Sequence, residues 1–149
     1  MKLIAYEDGL LNFRLPQDWV EEEEDDGTAL YYPEGVLTRA LRLQVMQFQS
    51  PKDVSQEFCM EMLQNMGKEE GGEVHALDTG NAVLHYQQEA QERKTSLLIH
   101  NWEMANPAPP HTVRLAIFSY TILAADAASP EVQADLAMLN EEIRNSRFA

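Results

Sequence analysis

Thr112-Val113-Arg114-Leu115-Ala116-Ile117-Phe118-Ser119-Tyr120-Thr121-Ile122-Leu123, followed shortly by Ser129-Pro130-Glu131, is the stretch on which the fold turns. Val113, Leu115 and Ile117 share one parity, and Ala116, Phe118, Tyr120 and Ile122 share the other. Alternate side chains of a strand point to opposite faces, so a strand here is apolar on both sides and needs a covering layer above and below it. Ser129-Pro130-Glu131 supplies such a layer. It offers a capping hydroxyl, a proline at the first helical position and an acid in the first turn. Val132, Leu136, Leu139 and Ile143 then form the inward stripe of a helix reaching about Ser146.

Upstream, Glu73 to Asp78, Asn81 to Ala90 and Thr95 to Met104 read as strands that join Thr112 to Leu123 through hairpins. Between the last two, Ala105-Asn106-Pro107-Ala108-Pro109-Pro110-His111 is rich enough in proline to predict a stiff, unpaired loop. Ser50-Pro51-Lys52-Asp53 repeats the helix-start chemistry and predicts a helix to about Met66. Its stripe is Val54, Phe58, Met62 and Met66 with Leu63 beside them, and Gly67 is its C-cap. Ahead of that helix, Leu10 to Leu15, Val20 to Glu24, Thr28 to Tyr32 and Leu37 to Phe48 read as strands, with Asp25-Asp26-Gly27 as a tight turn. The apolar parity of the fourth changes near Val45 and Met46, which predicts a bulge or cover on both faces there. The order ββββ-α-ββββ-α predicts one α+β domain over residues 1–149. Its centre is an antiparallel sheet of about six to eight strands flanked by the two helices as an α/β/α sandwich, one helix on each face, or both on one face with bent hairpins covering the other.

Length and composition agree with one domain: 149 residues, 44% hydrophobic, are enough to bury a core without metals or disulfides. Cys59 has no partner cysteine, the start Met1-Lys2-Leu3-Ile4 lacks the apolar run of a signal peptide, and no apolar stretch approaches a bilayer span. The expectation is a cytoplasmic protein without membrane insertion. Eleven basic against 25 acidic residues give −14, and the first 35 residues alone carry −8. Such a surface repels phosphate backbones and anionic headgroups, which disfavours nucleic-acid and membrane-surface partners. A protein partner that is basic or offers an apolar segment remains allowed.

Phe13-Arg14-Leu15-Pro16-Gln17-Asp18-Trp19 is similar to an F-x-L-P-x-x-W opening, and Ile143-Arg144-Asn145-Ser146-Arg147-Phe148 to an I-x-x-S-x-x-F close. In these motifs and in element order the chain resembles the superfamily that includes PsbP, the Ran-binding Mog family and bacterial DcrB-like domains. The resemblance implies an α/β/α sandwich that serves as an adaptor, accessory subunit or chaperone. Some small cytoplasmic DcrB-like members are chaperones of secretion effectors. It brings no catalytic residues and no cofactor. The acidic run after Trp19 and the Pro-rich loop depart from the pattern.

Glu21-Glu22-Glu23-Glu24-Asp25-Asp26 offers a docking surface for a basic partner, against the plainer reading of a solvated edge hairpin whose charges block sheet-to-sheet pairing. The glycine and glutamate spacing of an EF-hand loop is absent from it. Trp19, Tyr31, Tyr32 and Trp102 offer an aromatic anchor patch, against core packing. His85 and His100 fall on strands expected to pair, opposite or diagonal to each other, and two imidazoles can begin a metal site, although no third ligand is evident. His75 and His111 read as surface residues, and Cys59 as a small buried hydrophobe. Pro107-Ala108-Pro109-Pro110 has a P-x-x-P spacing but is short enough to be a rigid connector. Phosphate loops, zinc cysteine pairs and a nucleophile elbow are missing, so no catalytic residue can be named. The reading is a non-catalytic protein-binding module, an adaptor or chaperone with secretion effectors as one client class. The docking candidates are Glu21, Glu22, Glu23, Glu24, Asp25, Asp26, Trp19 and Trp102. The alternative is a small enzyme or metal-binding protein built on His85 and His100.

Overall fold

A computed structural model describes all of residues 1–149. The elements are β1 (Lys2–Tyr6), β2 (Leu11–Leu15), β3 (Trp19–Glu23), β4 (Ala29–Pro33), β5 (Arg39–Gln49), α1 (Gln56–Met66), β6 (Glu73–Ala76), β7 (Ala82–Glu92), β8 (Thr95–Ala108), β9 (Thr112–Leu123), α2 (Pro130–Arg144) and β10 (Arg147–Phe148). The class is α+β. Seven strands form an antiparallel sheet in the order β3-β4-β5-β9-β8-β7-β6, and β1, β2 and β10 form a second, three-stranded one.

Alternation along β9 divides the protein. Phe118, Tyr120 and Ile122 point to one face, where they are buried with Leu41 and Leu43 of β5, Trp102 and Met104 of β8, Ile4, Leu11, Phe13 and Leu15 of the β1–β2 hairpin, and Val132, Leu139 and Ile143 of α2. Val113 and Leu115 point to the other face and are buried with Cys59 and Leu63 of α1 and with Leu84 and Ala105. The face beneath α2 is therefore closed by a helix and a hairpin, and the face beneath α1 by a helix alone.

The Asp25-Asp26-Gly27 turn is present: Gly27 has φ +87°, and the Glu24 N–H donates to the Thr28 carbonyl at 2.8 Å. Several expectations are corrected. Ser50-Pro51 does not begin α1. The Ser50 N–H donates to the His111 carbonyl at 2.7 Å and the Val54 N–H to the Pro110 carbonyl at 2.9 Å, so this segment is tied to the β8–β9 turn. Ser55 is the N-cap, its hydroxyl accepting from the Phe58 N–H at 3.1 Å. The buried stripe is accordingly Cys59 and Leu63, while Phe58 and Met62 are half-buried and Met66 is 42% exposed. The Pro-rich loop is largely strand, with β8 running through Pro107, which pairs with Val113. β7 begins at Ala82, opposite Ala105, so Pro107 has a neighbour on one side only, where a missing N–H is tolerated. β5 has no bulge: its register with β9 is unbroken from Arg39–Ile122 to Gln49–Thr112. Leu37 lies outside the strand and is 93% exposed. β1 and β10 are additional strands, so five strands, not four, precede α1 and a short one follows α2.

Candidate functional site

α1 packs on β6, β7 and β8 and leaves the β3-β4-β5 half of its sheet face open. The parity set by Leu115 and Ile117 directs Met46, Gln44, Arg42 and Ala40 of β5, Leu30 and Tyr32 of β4, and Val20 and Glu22 of β3 onto this open half. Met46 and Phe48 beside it are 48% and 36% exposed, whereas Leu30, Tyr32 and Val20 are half-buried. Two clefts meet here. One of about 520 Å³ is lined by Arg39, Arg42, Arg93, Glu92, Leu97 and Thr121, and one of about 220 Å³ by Glu22, Leu30, Tyr32, Val36, Leu37 and Arg42.

The charge distribution on this face departs from that of the chain. Among the positions of β3, β4, β5 and β9 directed to it, Glu22 is the single carboxylate, and it accepts a hydrogen bond from the Tyr32 hydroxyl. Glu24 reaches in from the hairpin and neutralises Arg42 at 2.8 Å. A polar belt crosses the middle: the Ser119 hydroxyl donates to Asn101 Oδ1 at 2.8 Å, and Asn101 Nδ2 donates to Gln88 Oε1 at 2.7 Å. Nearer α1, burial raises the pKa of Glu103 and pushes that of Tyr86 up to about 12; the Tyr86 hydroxyl lies 3.4 Å from the Glu103 carboxylate. The face is thus mixed in character, with apolar patches on either side of groups that can donate and accept hydrogen bonds.

The acidic run lies at the sheet margin. Glu21, Glu22 and Glu23 occupy the edge strand β3 and are exposed, as are Asp25 and Asp26, while Glu24 is half-buried. Asp26 accepts from the Thr28 N–H at 3.0 Å, and these hydrogen bonds lower its pKa. Trp19 and Trp102 are corrected. They are 4% and 1% exposed and belong to the large core, so neither can anchor a partner. Tyr31 joins them there, with Phe13 packed edge-on at 5.6 Å, and burial raises its pKa far above the usual phenol range. Cys59 is fully buried, and desolvation pushes its thiol up to about 11.

His85 and His100 come together diagonally. β7 pairs with β8 so that His85 faces Trp102 and Gln87 faces His100, and the two imidazoles lie 6.0 Å apart on the α2 side. No third histidine, cysteine or carboxylate is placed to hold a metal with them. His75 Nε2 lies 3.3 Å from the Glu73 carboxylate and His111 Nδ1 lies 3.8 Å from that of Asp53, both imidazoles nearly half exposed.

Sequence reasoning missed the open sheet half, because which strands α1 covers depends on where that helix begins. It also missed Asp135, a buried carboxylate within the apolar stripe of α2, which accepts from the Tyr120 hydroxyl and from Arg39 Nε, both at 2.6 Å. Ser50-Pro51 was the misleading signal for the first. The second had none, since Arg39 lies almost a hundred residues away.

No family model matches the sequence, and no curated protein matches it either. Solved structures do match the fold. A protein of Bacteroides thetaiotaomicron aligns with a TM-score of 0.70 at 15% identity over 99% of this chain, which spans about half, 48%, of that protein's length. LpqN of Mycobacterium tuberculosis, described as involved in cell envelope biogenesis, aligns with a TM-score of 0.66 at 10% identity over 99% of this chain and 90% of its own. At these identities the likeness shows the fold alone. No helix is long and apolar enough to cross a membrane.

Proposed function

We propose that this protein is a non-catalytic protein-binding module, an adaptor or chaperone, and that its partner docks on the open β3-β4-β5 half of the sheet face beneath α1. The observation that carries this reading is the composition of that half. In a chain of net charge −14, Glu22 is the single carboxylate that β3, β4, β5 and β9 direct onto it, Glu24 reaches in from the hairpin to pair with Arg42, and Met46 and Phe48 are left in contact with solvent. An apolar patch rimmed by polar groups is the usual mark of a surface awaiting a partner. The burial of Trp19 and Trp102 removes them from the docking set, and the carboxylates of Glu21 to Asp26 stand at the rim, where they act on encounter more than on affinity. A helix packed on each face supports the α/β/α sandwich and, with the opening and closing motifs, membership of the PsbP/Mog-like superfamily with its DcrB-like branch. The buried, unpaired thiol of Cys59 suits a cytoplasmic setting.

The test replaces Met46 and Phe48 together by Glu. The expected result is that a partner recovered by the wild-type protein is bound at least tenfold more weakly, with the denaturation midpoint unchanged. Equal affinity for that partner overturns the assignment of the face. Replacing Glu21, Glu22, Glu23 and Glu24 by Gln is the companion measurement, expected to slow association and flatten its dependence on salt without changing dissociation.

A further inference from the structure

His85, Trp102 and His100 form a stack of rings that the docking role does not use. The His85 ring lies flat on Trp102, with centroids 4.8 Å apart and planes within 3°, and His100 lies 6.3 Å from Trp102 on the same face. Tyr120 flanks His100 at 6.5 Å. His100 is only 5% exposed, and both His85 Nε2 and His100 Nδ1 are buried without a hydrogen-bond partner. The end of α2 lies against the Trp102 and His85 part of this stack, and the Asp135 turn of the same helix against Tyr120 beside His100. Asn140 accepts from the Trp102 indole at 3.4 Å, Leu139 and Ile143 are buried in the same cluster as Trp102, and Arg144 lines a cleft of about 350 Å³ together with His85.

A neutral imidazole keeps one nitrogen unprotonated, and an apolar surrounding tolerates that nitrogen far better than a charge. Adding a proton there creates a buried cationic donor with nothing to accept from it. The neighbouring elements relieve little of this. α2 presents Arg144, a second cation, while its Glu142 is bound by Arg14 of β2 at 3.0 and 3.1 Å. β6 presents His75 and Glu73, and the connector before it presents Glu70 to the same cleft; Glu73 raises the pKa of His85, but by less than burial and Arg144 lower it, and its carboxylate lies 3.3 Å from His75 Nε2. β9 presents the Tyr120 hydroxyl, which is committed to Asp135. β7 and β8 present the two imidazoles to each other. Burial first, then Arg144, holds the pKa of His85 below the ordinary histidine value, and burial, then His85, does the same for His100.

We propose that the His85–Trp102–His100 stack is an acid-operated latch beneath α2: on acidification the two imidazoles take up protons by lifting the segment from Leu139 to Arg144 off the sheet, and the segment returns when the pH rises. The sign follows from linkage. With the segment lifted, each histidine titrates near its ordinary value of about 6.5, and with it closed, below that value. The open form therefore binds more protons, so the closed form loses stability as pH falls below about 6.5. The loss levels off below the closed-state pKa. Each imidazole raises the opening constant by up to about tenfold per pH unit, and the pair by up to about a hundredfold. Glu103 acts in the opposite sense, because its raised pKa makes the folded form take up a proton first as pH falls. Global unfolding therefore mixes the two effects, and a local readout is required.

The experiment is hydrogen exchange of the wild-type protein between pH 7.5 and 5.5, with rates corrected for intrinsic exchange. The protection of the amides from Leu139 to Arg144 is expected to fall by at least about threefold between pH 6.5 and 5.5, while the amides of β9 hold theirs. A smaller fall, or an equal fall in β9, overturns the latch. The variant carrying His85→Gln with His100→Gln is expected to abolish the fall, and a fall that persists in it also overturns the proposal. Should that variant not fold, the wild-type imidazole C2–H resonances serve in its place. Their titration must share its midpoint with the opening of α2, and titration near pH 6.5 with α2 still protected overturns the latch.

Discussion

Asp135→Ala tests how α2 is held to the sheet. Asp135 accepts from the Tyr120 hydroxyl and from Arg39 Nε, each at 2.6 Å, and its side chain is 12% exposed against 19% for Arg39. Hydrogen bonds to a charged group contribute about 1.5–3 kcal/mol each, and removing the acceptor leaves a phenol and a guanidinium beneath the helix without their partner. Water that reaches the exposed part of Arg39 recovers some of this, so the expected cost is about 3 kcal/mol. With a urea slope of about 2 kcal/mol per molar, the midpoint should fall by about 1.5 M. Tyr120→Phe removes one of the two bonds and should cost about 1–2 kcal/mol. The double variant should cost less than the sum of the singles, because both remove the same contact. The carboxylate also raises the pKa of the Tyr120 phenol, an effect second only to burial, so the two groups are coupled in charge as well as geometry. Urea denaturation of the four proteins, followed by tryptophan fluorescence, measures the cycle. A midpoint shift under about 0.5 M for Asp135→Ala, or full additivity, refutes the argument that this carboxylate is the tie.

Two further outcomes follow from close packing. Gly72→Ala should destabilise by about 1–3 kcal/mol in the same assay, because a Cβ at Gly72 would stand 2.6 Å from the His85 carbonyl oxygen and 2.9 Å from Tyr86 Cβ, in a backbone with little room to give. Cys59, with its thiol pushed up to about 11, should react with a disulfide reagent at pH 8 at least a hundredfold more slowly in the folded protein than in denaturant, and a comparable rate would show that the α1 cluster is open to solvent.

The amount of this structure visible in the sequence depends on how local the deciding physics is. The Asp25-Asp26-Gly27 hairpin, the double-faced β9 and the Ser129-Pro130 helix start are settled within a few residues, and all three appear where expected. That His85 and His100 meet followed from strand pairing, and the register decides between the two arrangements the sequence allows, placing them diagonally. Ser50-Pro51 carried the same local signal as Ser129-Pro130, yet the carbonyls of Pro110 and His111, some sixty residues away, claimed its backbone. Pro107 looked like a strand breaker because its neighbour on one side only could not be foreseen. β10 is two residues long and exists by pairing with Asn12 and Leu11 of β2, so no periodicity announces it. The aromatic candidates were divided by burial alone, a property of the assembled core and not of the residue type.

The strand order β3-β4-β5-β9-β8-β7-β6 also bears on how the chain reaches this state. Every neighbour in the seven-stranded sheet but one is also a neighbour along the chain, so β3-β4-β5 and β6-β7-β8-β9 are two meanders that can zip locally. β5 against β9 is the exception, and its nearest paired residues, Gln49 and Thr112, enclose α1 and three strands between them. Closing that span costs conformational entropy before its contacts repay it, and each doubling of such a loop adds only about 0.6 kcal/mol, so the burden is kinetic more than thermodynamic. The meeting of β5 with β9 is the contact at which two half-sheets become one and the facing edges of both are withdrawn from aggregation.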